Sequence, residues 1–178
     1  FALGVRDFDV AAHRPHPPGY PVYIALGKVA TAVTGAVSSA APSTIEATAL
    51  SLLSLAGGLL AIACLFRAFA TLASETEALA ATAITACCPL FWYLGVRPMS
   101  DLPGLAVALA AQACLLGAFR QQRPTADGDR RLSPAVMAAS GRLIVIGAFL
   151  AALSIGLRSQ TVWFTVPLLV LVLVDRIG

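Results

Sequence analysis

Charged side chains are scarce in this sequence: they make up 12% of its 178 residues, against 58% hydrophobic ones. A soluble domain carries about 25% charged residues, so the composition describes an integral membrane protein. The net charge of +3 is small and scattered, which excludes the concentrated basic face that a nucleic-acid partner requires. Cysteine is scarce too. Cys64, Cys87, Cys88 and Cys114 all lie in apolar stretches, and no two are spaced Cys-x-x-Cys. Such cysteines read as small buried hydrophobes, not as metal ligands or disulfide partners. No internal repeat is visible. The chain starts at Phe1 without a charged n-region, a short apolar core and a cleavage site. The expectation is a single membrane domain over 1–178, cut from a longer multi-spanning chain.

What the sequence does have is long apolar runs. A helix needs roughly 20 apolar residues to cross a bilayer. Ala47 to Phe66 meets that length without a charge, and Arg67 ends it. Ala78 to Val96 forms a second run, in which Pro89 is tolerated if neighbours satisfy the carbonyl it frees. Leu102 to Phe119 forms a third. As one helix, Leu143 to Val174 would be about 48 Å long, too long for a hydrocarbon core of about 30 Å. It would also bury Arg158 near mid-membrane at several kcal/mol. It is therefore expected to be two short helices, Leu143–Leu157 and Thr161–Val174, turning at Arg158-Ser159-Gln160, with Arg142 and Arg158 snorkelling to the interfaces. Val22 to Val37 is short and interrupted by Lys28, which suits a helix lying in the interface. The predicted architecture is all-α: a polytopic bundle of about five spans over 46–178, preceded over 1–45 by a loop and an interfacial helix.

The segment Arg120 to Arg142 holds Arg120, Arg123, Arg130, Arg131 and Arg142 against Asp127 and Asp129. The positive-inside rule makes it cytoplasmic. Counting spans outward then gathers Asp7, Asp9, His13, His16, Arg97, Asp101, Arg158 and Gln160 on the extracytoplasmic face. Such one-sidedness is expected of an extracytoplasmic cavity that does chemistry.

Each of these groups has a structural and a functional reading. Asp7-Phe8-Asp9 places two carboxylates on one side of an extended segment, where they are ordinary loop acids or hold a divalent cation with a phosphate. His13-Arg14-Pro15-His16-Pro17-Pro18-Gly19-Tyr20-Pro21 is too rich in proline for helix interior or central strand. His16 within it reads as a phosphate or substrate contact, or as a histidine packed in a stiff loop; His13 reads as the latter. Asp101 precedes Leu102-Pro103-Gly104, so it caps a helix or serves a site. Arg158 at membrane depth suits an anion, whose oxygens its planar fork can bind in pairs. Ser43 or Thr44 can cap the first long span, with Glu46 near the positive end of its dipole.

Three of these pieces, in order, resemble the GT-C membrane glycosyltransferases, the group that contains dolichyl-phosphate-mannose–protein mannosyltransferases and RgtA/B/C/D-like bacterial enzymes. They are Phe8-Asp9-Val10 through His16-Pro17-Pro18-Gly19-Tyr20-Pro21, then Arg97-Pro98-Met99-Ser100-Asp101, then Leu157-Arg158-Ser159-Gln160. The resemblance implies transfer of a sugar from a polyprenyl-phosphate donor to a lipid, glycan or protein acceptor at the extracytoplasmic face of a bacterial inner membrane. It implies an acid just after the first span as base or metal partner, expected upstream of Phe1, with Asp7 and Asp9 the catalytic candidates within this chain. It implies substrate contacts at His16, Arg97, Asp101, Arg158 and Gln160, and a divalent metal ion as a cofactor. The competing readings are a membrane transporter, which favours mid-membrane charges and internal repeats, and a non-catalytic relative that binds lipid.

Overall fold

The computed structural model describes residues 1–15, 20–122 and 133–177. Its helices run in the order α1 (Ala2–Arg6), α2 (Pro21–Val37), α3 (Pro42–Ala70), α4 (Glu75–Ala86), α5 (Pro89–Gly95), α6 (Asp101–Gln122), α7 (Pro134–Leu157) and α8 (Val162–Ile177). A single turn of 3₁₀ helix, Ser159–Thr161, joins α7 to α8. The chain is an all-α polytopic bundle. Among the described residues four helices are long and apolar enough to cross a membrane, or five if α4 and α5 cross as one bent pair.

Small residues decide how closely these helices pack. α6 lies between α3 and α7 and buries Ala106, Ala108, Ala111 and Ala118. Facing it, α3 buries Gly57, Gly58 and Ala61. A Cβ on Gly57 would stand 2.6 Å from the Pro103 backbone nitrogen, so only glycine permits this crossing. Lipid supplies no hydrophobic drive between helices, and close backbone approach is what holds them. On the other side Gly147 of α7 admits Leu115 of α6. Leu115, Ala118, Ile144 and Val172 then form one core cluster with α8. Gln112 ties α6 to α8 by donating to the Phe164 carbonyl at 2.8 Å, one residue from the Trp163 carbonyl that Pro167 leaves without its helical donor.

Two expectations about the spans need correction. The run Ala78 to Val96 is not one straight helix. α4 starts earlier, at Glu75, behind a capping box of Ser74 and Glu77. The chain then bends by 64° before α5, because Pro89 disfavours helical backbone at Cys88 before it. The helix expected at Leu143 begins at Pro134 instead, where Ser133 accepts from the Val136 N–H. Its 24 residues give about 36 Å, a full crossing, and Arg142 is an exposed residue within the helix, not at its edge. The split at Arg158 stands: the backbone there is extended, at φ −155° and ψ 114°. α3 is capped differently too: its N-cap is Ala41, without a side-chain hydrogen bond.

The ends of the bundle differ in chemistry. Toward one end the start of α6, the α7–α8 turn, α1 and the start of α2 gather around α3 between Glu46 and Gly57. At the other, Arg120 donates to the Ala70 and Thr71 carbonyls and Gln122 to Ser140. Arg123, Asp127, Asp129, Arg130 and Arg131 of the basic segment, and His16-Pro17-Pro18-Gly19, lie outside the described residues.

Candidate functional site

Asp101 and Arg158, 57 positions apart in the chain, form an ion pair with Nη1 2.8 Å from Oδ1. Asp101 opens α6, where the helix dipole favours a carboxylate. Arg158 ends α7, and hydroxyls fix its backbone. Its N–H donates to the Ser154 carbonyl at 2.8 Å, and its carbonyl accepts from the Thr161 N–H at 3.1 Å and the Thr161 hydroxyl at 2.8 Å. Ser154 completes the turn by donating to Thr161 Oγ1 at 3.0 Å. The two segments meet because Gly104 has no side chain: a Cβ there would lie 2.9 Å from Arg158 Cβ. Gly104→Ala is therefore expected to push Arg158 off Asp101, and to reduce transfer about tenfold with the protein still folded. Rate and thermal unfolding measured on one preparation check this.

The pair opens on a cavity of about 180 Å³. Leu94, Leu102, Leu105 and Phe164 form its apolar wall, and Asp101, Arg158, Gln160 and Thr161 its polar one. Arg158 spends one of five guanidinium donors on Asp101. Asp101 keeps a second oxygen, Oδ2, buried without a hydrogen-bond partner, and the Ser100 hydroxyl beside it is buried and unpartnered as well. So three of the sequence-expected residues, Asp101, Arg158 and Gln160, come together.

The other candidates fall elsewhere. Arg14 stands between Asp7 and Asp9, at 3.0 Å and 3.7 Å, and Asp9 also accepts from the Ala12 N–H at 3.0 Å. A cation would have to displace that guanidinium, so these two acids do not fit a metal ion. Among the described residues no group of three or more His, Cys, Asp or Glu is arranged to hold one. Arg97 lies 4.2 Å over the Tyr93 ring and does not line the Asp101 cavity. His13 occupies a left-handed turn, φ 57°. His16 lies outside the described residues.

Two features of this end were missed in the sequence. Arg6 of α1 donates to Glu46 of α3 at 2.5 Å; Glu46 is buried and half of Arg6 is exposed. Removing Arg6 strands a buried carboxylate, whereas removing Glu46 frees an arginine that water can solvate. Arg6→Ala should thus lower the unfolding temperature more than Glu46→Gln, by thermal scans in detergent. The second feature is Tyr23, fully buried at the start of α2. Phe1 packs edge-on against it at 4.7 Å, and Val22 beside it fills the space left by Gly156 of α7. Its hydroxyl lies near Ser54 and within electrostatic range of Asp101, and burial pushes its pKa up, so it stays protonated. Ser54 is itself committed to Met99, donating to its carbonyl at 2.9 Å and accepting from its N–H at 3.2 Å. A buried tyrosine in an apolar helix gives no sequence signal of its polar surroundings.

The sequence matches the family of the protein O-mannosyl-transferase TMEM260 N-terminal domain over residues 10–176. The chain belongs to that family. No curated protein and no solved structure matches it. The TMEM260 N-terminal domain match spans every helix from α2 to α8, so the Asp101–Arg158 cavity is a feature of the matched domain and not of an appendage. It supports a glycosyltransferase, mannosyltransferase-like reading of a membrane protein.

Proposed function

We propose that this domain transfers mannose from a polyprenyl-phosphate donor to a protein acceptor at the extracytoplasmic face of its membrane, as a GT-C-type transferase. The observation that carries the reading is the Asp101–Arg158 pair at 2.8 Å, set in a cavity with leucine and phenylalanine walls. A guanidinium meets phosphate oxygens with paired donors, and the apolar wall suits a prenyl chain entering from lipid. In the reaction the acceptor hydroxyl attacks the anomeric carbon and gives its proton to a carboxylate. The bond from that carbon to the phosphate oxygen breaks, and Arg158 stabilises the charge that develops on the departing phosphate. Asp101 and Gln160 orient hydroxyls or phosphate oxygens. Family membership supports the sugar, and the gathering of polar groups at one end of the bundle supports a single working face.

The test is transfer by the intact protein from polyprenyl-phosphate-linked labelled mannose, with nucleotide-linked mannose in parallel. Label passing to a protein acceptor from the first donor alone is the expected result; transfer from the nucleotide sugar alone overturns the donor assignment. One observation favours a second reading, a non-catalytic lipid-binding domain: Asp7 and Asp9 are both engaged by Arg14. Binding of the lipid donor without transfer would support it.

A further inference from the structure

The end of the bundle away from Asp101 carries two arginines that the fold leaves uncommitted. Ion pairs among the described residues engage Arg6, Arg14 and Arg158. Arg142 of α7 and Arg176 of α8 have no such partner there, and both are exposed. The two helices pack against each other, and the Arg176 fork reaches across to α7. A Cβ on Gly141 would stand 3.4 Å from Nη1 and 3.4 Å from Nη2, so the guanidinium sits beside the residue that precedes Arg142. Gln122 of α6 holds the neighbouring Ser140 at 2.9 Å, which fixes this part of α7. Asp175 is exposed next to Arg176. The acids Glu75 and Glu77 open α4, which packs on α3 and α5. The segment between α6 and α7, which adds Arg123, Arg130 and Arg131 against Asp127 and Asp129, lies outside the described residues.

Depth and neighbours define what these arginines can bind. Arg142 lies about 24 Å along α7 from Arg158. With Arg158 at one face of a core about 30 Å thick, Arg142 reaches the opposite headgroup layer by extending its side chain along the helix. Arg142 also heads an apolar stripe: Val145, Ile146 and Phe149 are exposed, while Ile144, Gly147 and Ala151 are buried. Steps of three, four and seven residues put that stripe on the face of Arg142. An amphiphile with an anionic head and apolar chains matches both parts. A soluble anion would leave the stripe bare, and a neutral headgroup would leave two charges unmatched. We infer that Arg142 and Arg176 form a headgroup site for an anionic phospholipid, on the bilayer face opposite the proposed transfer site. A guanidinium fork gives a phosphate paired hydrogen bonds. Forks from two adjacent helices take one phosphodiester, and its acyl chains lie along Val145, Ile146 and Phe149. The site is independent of the transfer reaction and of its donor.

The test is thermal unfolding of the intact protein in neutral detergent, titrated with dioleoyl phosphatidylglycerol or dioleoyl phosphatidylcholine, with native mass spectrometry of the retained lipid. Phosphatidylglycerol, at about ten times its dissociation constant, should raise the unfolding temperature about 3 °C more than phosphatidylcholine. Arg142→Gln with Arg176→Gln should weaken its binding about 25-fold, roughly fivefold for each arginine. Gly141→Leu keeps both charges and fills the space that the Arg176 fork occupies. It should weaken binding about fivefold, and it decides the matter if the double variant does not fold. Equal shifts with the two lipids overturn the site. So does phosphatidylglycerol binding at parent strength to the double variant or to Gly141→Leu. Inorganic phosphate alone giving the full shift would assign the arginines to a soluble anion and overturn the lipid.

Discussion

Arg158→Ala is expected to reduce mannose transfer by a factor of about 100 to 1,000, the usual result of deleting one preorganised donor to developing charge. The same change leaves Asp101 without its cation in a place where only 17% of its side chain is exposed. Breaking a fully buried pair in this way costs about 3–5 kcal/mol. Arg158 keeps 31% exposure, so water screens part of the interaction, and a loss of about 2 kcal/mol is the better expectation. Lost activity alone would not distinguish a missing phosphate ligand from a weakened fold. The double variant Asp101→Asn with Arg158→Gln does so. It removes both charges and leaves two amides that can hydrogen-bond, so the unfolding temperature should recover toward the parent while transfer stays lost. If transfer recovers with stability, the pair is a structural clip and the cavity is not the site.

Gly57→Ala should be the most damaging single methyl in the chain. Its Cβ would stand 2.6 Å from Pro103 N and 2.8 Å from Pro103 Cα, and backbone cannot rotate away as a side chain can. The crossing of α3 and α6 must open, and overpacking of this kind costs typically about 1–3 kcal/mol. The separation also shifts Met99, which Ser54 holds one turn before Gly57, and Asp101 two residues later. Gly35→Ala in α2 is the control, because its Cβ would meet only Ile45 at 3.8 Å. There the gain from a stiffer unfolded chain, about 0.4–1 kcal/mol, should dominate. Opposite shifts of the two unfolding temperatures in detergent are the expected outcome. Equal shifts would show that the α3–α6 crossing tolerates separation.

Much of this architecture was legible in the sequence because hydrocarbon enforces it. A 29-residue α3 and a 22-residue α6 surround the apolar runs from which they were expected. The break at Arg158 was readable without any glycine or proline, since length and the cost of a buried arginine both required it. The bend at Pro89 was less readable, because membrane helices absorb some prolines and only packing decides which. The start of α7 was hidden by Ser140-Gly141-Arg142, which interrupt an apolar pattern that Ala135 to Ala139 already begins. At the site, Asp101, Arg158 and Gln160 were recoverable as residue types at span ends. The pairings at this end were not: nothing local in Glu46 points to Arg6, in Asp7 and Asp9 to Arg14, or in Asp101 to Arg158. The Asp101–Arg158 approach depends instead on Gly104, whose missing side chain lets α6 meet the α7–α8 turn.

The turn at Arg158 also bears on how the chain is made. α7 and α8 are antiparallel arms joined by four polar residues, Arg158 to Thr161, so they form a hairpin whose tip carries a charge. With the extracytoplasmic orientation proposed above, that tip crosses the hydrocarbon during insertion, which opposes an arginine by about 2.5–3.5 kcal/mol at mid-depth. Hydrogen bonds from Ser154 and Thr161 close the turn once both arms are in place. Entry of both arms together as a hairpin would spread the cost of that arginine over two apolar helices, where either arm alone would carry it whole.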